Sequence, residues 1–285
     1  MRPLNEQVIL ITGATDGLGK AVAFQLARDG VTLLLHGRDE ASGQQTLEEI
    51  RAQTGNTHLT WYRADFSELA QVRAMAERLA REQERLDVLL NNAGIGTTLP
   101  GGGRRQESKD GYELRLAVNY LAPFLLTRLL LPTLRQSAPA RIVNVSSAGQ
   151  APIDFRDVML THHYTGVQAY CQSKLALVMF TFDLAEELAG TSVTANCLHP
   201  ATYMPTKMVL AARGSGVSTI EEGVQATMHL ITAPELDQVS GRYYNGLREA
   251  RAESQAYDRQ ARRQLRQLSE QWTGLAGPER GGDKR

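Results

Sequence analysis

The sequence predicts a doubly wound α/β fold, a mostly parallel sheet with helices on both faces, built as a single domain. Three observations carry this. Short apolar runs alternate with longer amphipathic segments through the first two-thirds of the chain. A glycine-rich turn joins the first apolar run to the first amphipathic segment. The 285 residues, 42% hydrophobic and 22% charged, are enough for one large core and few for two.

The elements follow in order. Apolar runs at 7–11, 32–36, 59–63, 88–90, 141–145 and 192–197 read as strands buried on both faces. Helical patterns lie between them at 18–28, 40–51, 69–84, 112–134 and 167–188. Their alternation makes right-handed βαβ units, with ligands expected beyond the C-terminal ends of the strands. Three stretches break the rhythm. Residues 99–110 contain GGGRR and read as a surface loop. Residues 149–166 form an irregular insertion ahead of a helix. Residues 203–218, Gly- and Ser-rich around a short apolar piece, read as a substrate flap. One domain is placed at 1–246. Residues 247–285 form a charged C-terminal helix and tail. The helix is either packed on a partner subunit or solvated, and 274–285 reads as disordered.

Composition excludes several classes. Lys+Arg and Asp+Glu are 31 each, so neither nucleic acid nor an anionic membrane is an expected partner. The most apolar stretch, 114–134, is interrupted by Arg115, Asn119, Arg128 and Pro132, which argues against a membrane span. The N-terminal apolar run Val8 to Ile11 is too short for a signal peptide. Cys171 and Cys197 have no metal-ligand spacing, and no histidine joins them, so no metal is expected. A reducing, cytoplasmic location is the simplest expectation.

The turn ITGATDGLGK places Gly13, Gly17 and Gly19 at G-x-x-x-G-x-G spacing between a strand and a helix. Such a turn lets a pyrophosphate approach the backbone at a helix N-terminus. Gly13, Thr15, Asp16, Gly17, Leu18 and Gly19 are therefore candidate cofactor contacts. At the end of the second strand, Gly37 stands where an acidic residue would hold an unmodified ribose, and Arg38 follows it. That favours NADP(H) over NAD(H). Asp39 is better placed as the N-cap of the next helix. In VQAYCQSK, Tyr170 and Lys174 share one helix face. An ammonium beside a phenol of ordinary pKa near ~10 lowers it by roughly 1–3 units, toward acid–base use at neutral pH.

TGATDGLG at 12–19, NNAG at 91–94, Asn119 in VNY, Ser146-Ser147 after IVNV, and Tyr170-x-x-x-Lys174 occur in this order. The set resembles the short-chain dehydrogenase/reductase family from residue 7 to about 244. SAPARIVNVSS at 137–147, AYCQSKLALVMFT at 169–181, SGRYY at 240–244 and the insertion APIDFRDV at 151–158 look like its retinol-dehydrogenase-like and carbonyl reductase branch. The resemblance implies a Rossmann sheet of seven strands and an NADP(H)-dependent oxidoreductase of carbonyls or alcohols. In that reading Tyr170 exchanges the proton with the substrate oxygen. Lys174 depresses its pKa and bonds the nicotinamide ribose. Ser147, or its neighbour Ser146, holds the oxygen, and Asn119 positions a water that links Lys174 to solvent.

Asn92, Ala93 and Gly94 would lie along the adenosine ribose. Asp65 and Phe66 would lie by the adenine, Asp65 also serving as a helix N-cap. Pro200, Thr202 and Tyr203, in HPATYMPT at 199–206, would sit near the nicotinamide; Ala201 stands where the family has glycine, and Thr206 falls one position late. An apolar small-molecule substrate is expected from Leu99, Pro152, Phe155, Met204, Met208 and Leu210, in segments near the cleft. A homodimer or homotetramer is implied through helices including 112–134 and 167–188. Two other functions fit the same residues: a reductase of an activated C=C bond, and a redox sensor that binds NADP(H) without turnover.

Overall fold

The computed structural model describes residues 1–98 and 103–275. Leu99, the first two glycines of GGGRR and residues 276–285 of the expected disordered end lie outside the described residues. The elements run β1 (Val8–Thr12), α1 (Gly17–Arg28), β2 (Thr32–Gly37), α2 (Glu40–Thr54), β3 (Leu59–Arg63), α3 (Leu69–Glu82), β4 (Val88–Asn91), α4 (Leu114–Leu116), α5 (Ala122–Gln136), β5 (Ala140–Val145), α6 (Gly166–Glu187), β6 (Val193–His199), α7 (Lys207–Arg213), α8 (Ile220–Thr232), β7 (Tyr243–Asn245), β8 (Arg248–Ala250) and α9 (Arg259–Trp272). The strands form one sheet in the order β3-β2-β1-β4-β5-β6-β7-β8. Seven strands are parallel, and β8 pairs antiparallel to β7. The resemblance implied seven strands; the eighth exists because Gly246, at φ 60°, turns the chain back after β7.

The sheet separates two cores. One packs β-strand side chains against α1, α2 and α8, and the other against α3, α5, α6 and α9. Caps set the helix starts. Asp39 accepts from Ser42 N at 2.8 Å as expected, and Thr165 accepts from Gln168 N at 3.0 Å just ahead of α6. Asp65 does not cap α3. Its carboxylate is turned to Ser67 N at 2.9 Å, and the first α3 amide, Leu69 N, donates to Asp110 from a distant loop. The sequence reading passed over α8, although Thr219 and Glu222 at its start have the spacing of a capping box.

The packing bears on two expectations about surfaces. By length and composition Leu114–Gln136 could cross a bilayer, but 83% of its most apolar window is buried inside the protein. The C-terminal segment is neither free nor reserved for a second subunit. Ala256, Ala261, Leu265 and Ser269 are buried in this chain. Tyr120 and Ser269 share a hydroxyl hydrogen bond of 2.6 Å, Arg73 donates to Thr273 O, and Arg266 pairs with Asp183 of α6 at 3.3 Å. Many residues of 112–134 and 167–188, the helices expected to join copies, are buried within this chain.

Candidate active site

The glycine turn and the loop after β4 are stitched together. Thr12 Oγ1 accepts from Asn92 N and Ala93 N at 2.9 and 3.0 Å, while Asn92 Nδ2 donates to Thr12 O and Gly13 O. Gly13 takes φ 68°, and a Cβ on Gly19 would lie 2.3 Å from Gly13 O, so only glycine keeps this turn tight. No side chain caps α1 here, which leaves its first amides and partial positive charge for an anion. The turn therefore fits a dinucleotide pyrophosphate.

The β2 end adds a steric reason for Gly37. A Cβ there would meet the Trp61 ring at 2.7 Å and the Thr15 methyl at 3.1 Å, so no acidic side chain has room. Arg38 is exposed at this edge. Arg63, which the sequence reading left unassigned, is the register partner of Gly37 and donates through Nε to Arg38 O at 3.1 Å. Its signal was an arginine at the end of β3, at the edge where parallel strands all end. Phe66 departs from expectation: it is buried and stacked on His36 with ring centroids 4.1 Å apart, so its ring cannot lie along an adenine. His36 is held neutral under the turn, with Gly13 N donating to Nδ1 and Nε2–H donating to Ala64 O. Burial pulls its pKa down to about 4.

The carbonyl side is assembled on α6. Lys174 Nζ lies 5.8 Å from the Tyr170 ring centre and donates to Val145 O at 2.9 Å. Burial lowers the lysine to about 8. The phenol departs from the depressed value expected. Burial pushes Tyr170 above its ordinary value, a hydrogen bond with Ser147 opposes that, and the Lys174 ammonium points to a carbonyl instead. The two adjacent serines are now distinct. Ser146 is buried and donates to Lys174 O at 2.9 Å, while Ser147 accepts from Gly149 N and meets Tyr170.

Asn119 sits in a π-helical turn, Ala117–Leu121, a local widening often found at functional sites. Its amide clasps Ile95 N and O and donates to Ser173 Oγ, which in turn donates to Tyr170 O. A Cβ on Gly94 would lie 3.2 Å from Asn119 Oδ1 and 3.4 Å from Lys174 Nζ. Gly94, Asn119, Lys174, Tyr170 and Ser147 therefore converge at the C-terminal sheet edge.

Beyond β6, Thr202 Oγ1 is 3.1 Å from His199 Nε2, and Tyr203, at φ 49°, lies under the Arg213 guanidinium. Pro200 precedes them at the strand's end. Thr206 caps α7, accepting from Val209 N at 3.4 Å. This helix lies across the cleft: Met208 meets Gly96, and Lys207 approaches Asp16 at 3.6 Å. Met208 and Leu210 are exposed on it, whereas Met204 packs into the core against Gly223 and does not line a cleft. Arg115 was read only as a charge interrupting an apolar stretch. It is buried, donates to Gly96 O and Thr97 O at 2.8 and 2.7 Å, and is bonded to Tyr164 just before α6. Among the described residues no His, Cys, Asp and Glu group could hold a metal ion.

The short chain dehydrogenase family profile matches residues 7–215. The chain is 36% identical to human retinol dehydrogenase 13, over 95% of this chain and 86% of that protein. It is 39% identical to bovine retinol dehydrogenase 12, over 84% of this chain and 77% of that protein. A solved structure of an uncharacterized protein from Mycobacterium paratuberculosis superposes with a TM-score of 0.75 at 29% identity, covering 94% of each chain. Another, described as a short-chain dehydrogenase from Escherichia coli CFT073 complexed with NADPH, superposes with a TM-score of 0.70 at 27% identity, covering 86% of this chain and 98% of that one. The chain belongs to the short-chain dehydrogenase family.

Proposed function

We propose that the chain is an NADP(H)-dependent oxidoreductase that interconverts a carbonyl and an alcohol on an apolar small molecule. The observation that carries this is the convergence of Ser147, Tyr170 and Lys174 beside Gly94 and Asn119, one loop away from the glycine turn. The bound nicotinamide supplies or takes the hydride. The chain's own residues do the rest. Ser147 holds the substrate oxygen through its hydroxyl. Tyr170 donates its phenolic proton to that oxygen in reduction and removes it in oxidation. Burial keeps Tyr170 protonated at neutral pH, so the acid form needed for reduction is the resting form. Lys174, with its pKa near 8, is mostly ammonium there and offsets the negative charge that develops on the phenolic oxygen.

Arg38 and Arg63 would hold the 2′-phosphate, because Arg38 follows Gly37, Arg63 is paired with Gly37 in register, and Trp61 leaves no room for an acid there. The NADPH named with the Escherichia coli structure supports the same preference. Met208 and Leu210 on α7 supply an apolar cover for the substrate, consistent with relatives named for retinol.

The test is NADPH oxidation with a panel of aldehydes, ketones and quinones. Tyr170→Phe is expected to lower kcat on the order of 10²–10⁴-fold with NADPH affinity unchanged. Arg38→Asp and Arg63→Asp are each expected to raise the KM for NADPH about tenfold or more, and that for NADH little. Full turnover by Tyr170→Phe, or equal losses with both cofactors, overturns the corresponding part.

A further inference from the structure

The C-terminal segment reaches back to the serine of the site. Ser147 O accepts two hydrogen bonds, from Gln150 Nε2 at 2.8 Å and from the Tyr243 hydroxyl at 3.1 Å. Gln150 uses its other amide atom to accept from Glu253 N at 2.9 Å. Two residues on, Gln255 clasps Ile153 by its amide, accepting from Ile153 N at 2.7 Å and donating to Ile153 O at 3.0 Å. The segment that makes these bonds is itself anchored. Tyr257 packs on Phe182 of α6 with ring centres 5.3 Å apart, and Arg262 is paired with Glu186 of the same helix. Thus α6, which carries Tyr170 and Lys174, and the segment carrying Ser147 are both bound to residues 253–272.

We infer that Gln150 and Tyr243 are positioning residues, which hold the Ser147 carbonyl and tie its placement to the chain's own C-terminal segment. This rests on the assignment of Ser147 to the substrate oxygen. Ser147 Oγ must sit within hydrogen-bond reach of both Tyr170 and the substrate. Its segment leaves the sheet after Val145, so no strand partner fixes it beyond Ser146 N, which donates to Leu198 O. Two donors on one carbonyl stop the peptide from rotating. One of those donors is set by the segment at 253. The C-terminal segment therefore acts in its own subunit, rather than by covering a neighbour's cleft.

The experiment uses the full chain with NADPH and the best carbonyl from the panel. Gln150→Glu keeps an acceptor for Glu253 N but removes the donor to Ser147 O. It is expected to lower kcat about 3- to 10-fold, the effect of one lost hydrogen bond, with NADPH affinity unchanged and the melting temperature lowered by no more than a few degrees. Tyr243→Phe alone should lower kcat about twofold, because Gln150 still holds the carbonyl. The double variant should lose more than the product of the two, since both donors serve one oxygen. Wild-type kcat in Gln150→Glu and in the double variant, with Ser147→Ala inactive, overturns the inference and leaves the proposed function standing. Wild-type kcat in Ser147→Ala overturns both. Equal losses in NADPH affinity and kcat also overturn it, because they report general damage.

Discussion

Residues 203–218 and 247–272 make opposite uses of their composition. The first carries Tyr203, Met208, Leu210 and Val217, and all four are exposed. No residue of its helix α7 is buried. The second is rich in arginine and glutamine, yet it packs on α6 and reaches Tyr120 and Arg73. Ala261, Leu265 and Ser269 stand four residues apart, a narrow stripe on α9, and this stripe, with Arg262 beside it, is buried. Apolar content does not decide which segment is held. A stripe with a facing groove is held, and an apolar surface with no groove opposite it stays free to meet a ligand.

The largest expected effect separates the two segments directly. Leu265→Ala should cost about 2–5 kcal/mol, read as a lowered urea midpoint, because Leu265 is fully enclosed. Leu210→Ala should stay within about 0.5 kcal/mol. Similar midpoints for the two variants would break the comparison.

Acid offers the second test. The ion pairs between α9 and α6 make the C-terminal segment the obvious place for acid unfolding to begin. The histidine under the glycine turn points elsewhere. The His36 pKa is about 4 when folded, below its unfolded value, so the unfolded chain binds the extra proton between those two pH values. Stability is therefore lost as pH falls from about 6.5 to about 4, by about 3 kcal/mol. Urea titrations at pH 7 and pH 4.5 should show that loss, and His36→Gln should remove most of it. If the variant loses as much as wild type, the α9 contacts are the acid-sensitive ones.

The smallest effect belongs to the flap. Met208→Ala is expected to raise the carbonyl KM a few-fold while kcat and melting temperature hold, since Met208 lies beside Gly96 and is exposed. A stability loss instead would place α7 with the held segment.

Much of the cofactor side was legible because its signals are local. The apolar runs of β1 to β6 were found within two residues of their ends, and Asp39 acts through Ser42, three residues on. Errors came where a side chain's direction depends on a distant partner. Phe66 turned inward onto His36, Met204 onto Gly223, and Asp65 lost the helix start to Asp110. The stripe at 261, 265 and 269 was present in the sequence, but arginines around it hid the period.

The sequence by itself determined the alternating fold, the glycine spacing of the first turn, and the shared face of Tyr170 and Lys174. Each follows from spacing along one strand, turn or helix. Only the tertiary structure decided which serine meets Tyr170, why no acid can stand at position 37, and where residues 247–272 go. Ser146 and Ser147 are chemically alike and adjacent, and only the packing of α6 against β5 turns one to Lys174 O and the other to the phenol. Trp61 closes position 37 from a neighbouring strand, and the partners that hold the C-terminal segment, α6, Tyr120 and Arg73, are far apart in sequence. Contacts of that range are fixed by which elements become neighbours, and a local pattern carries no record of them.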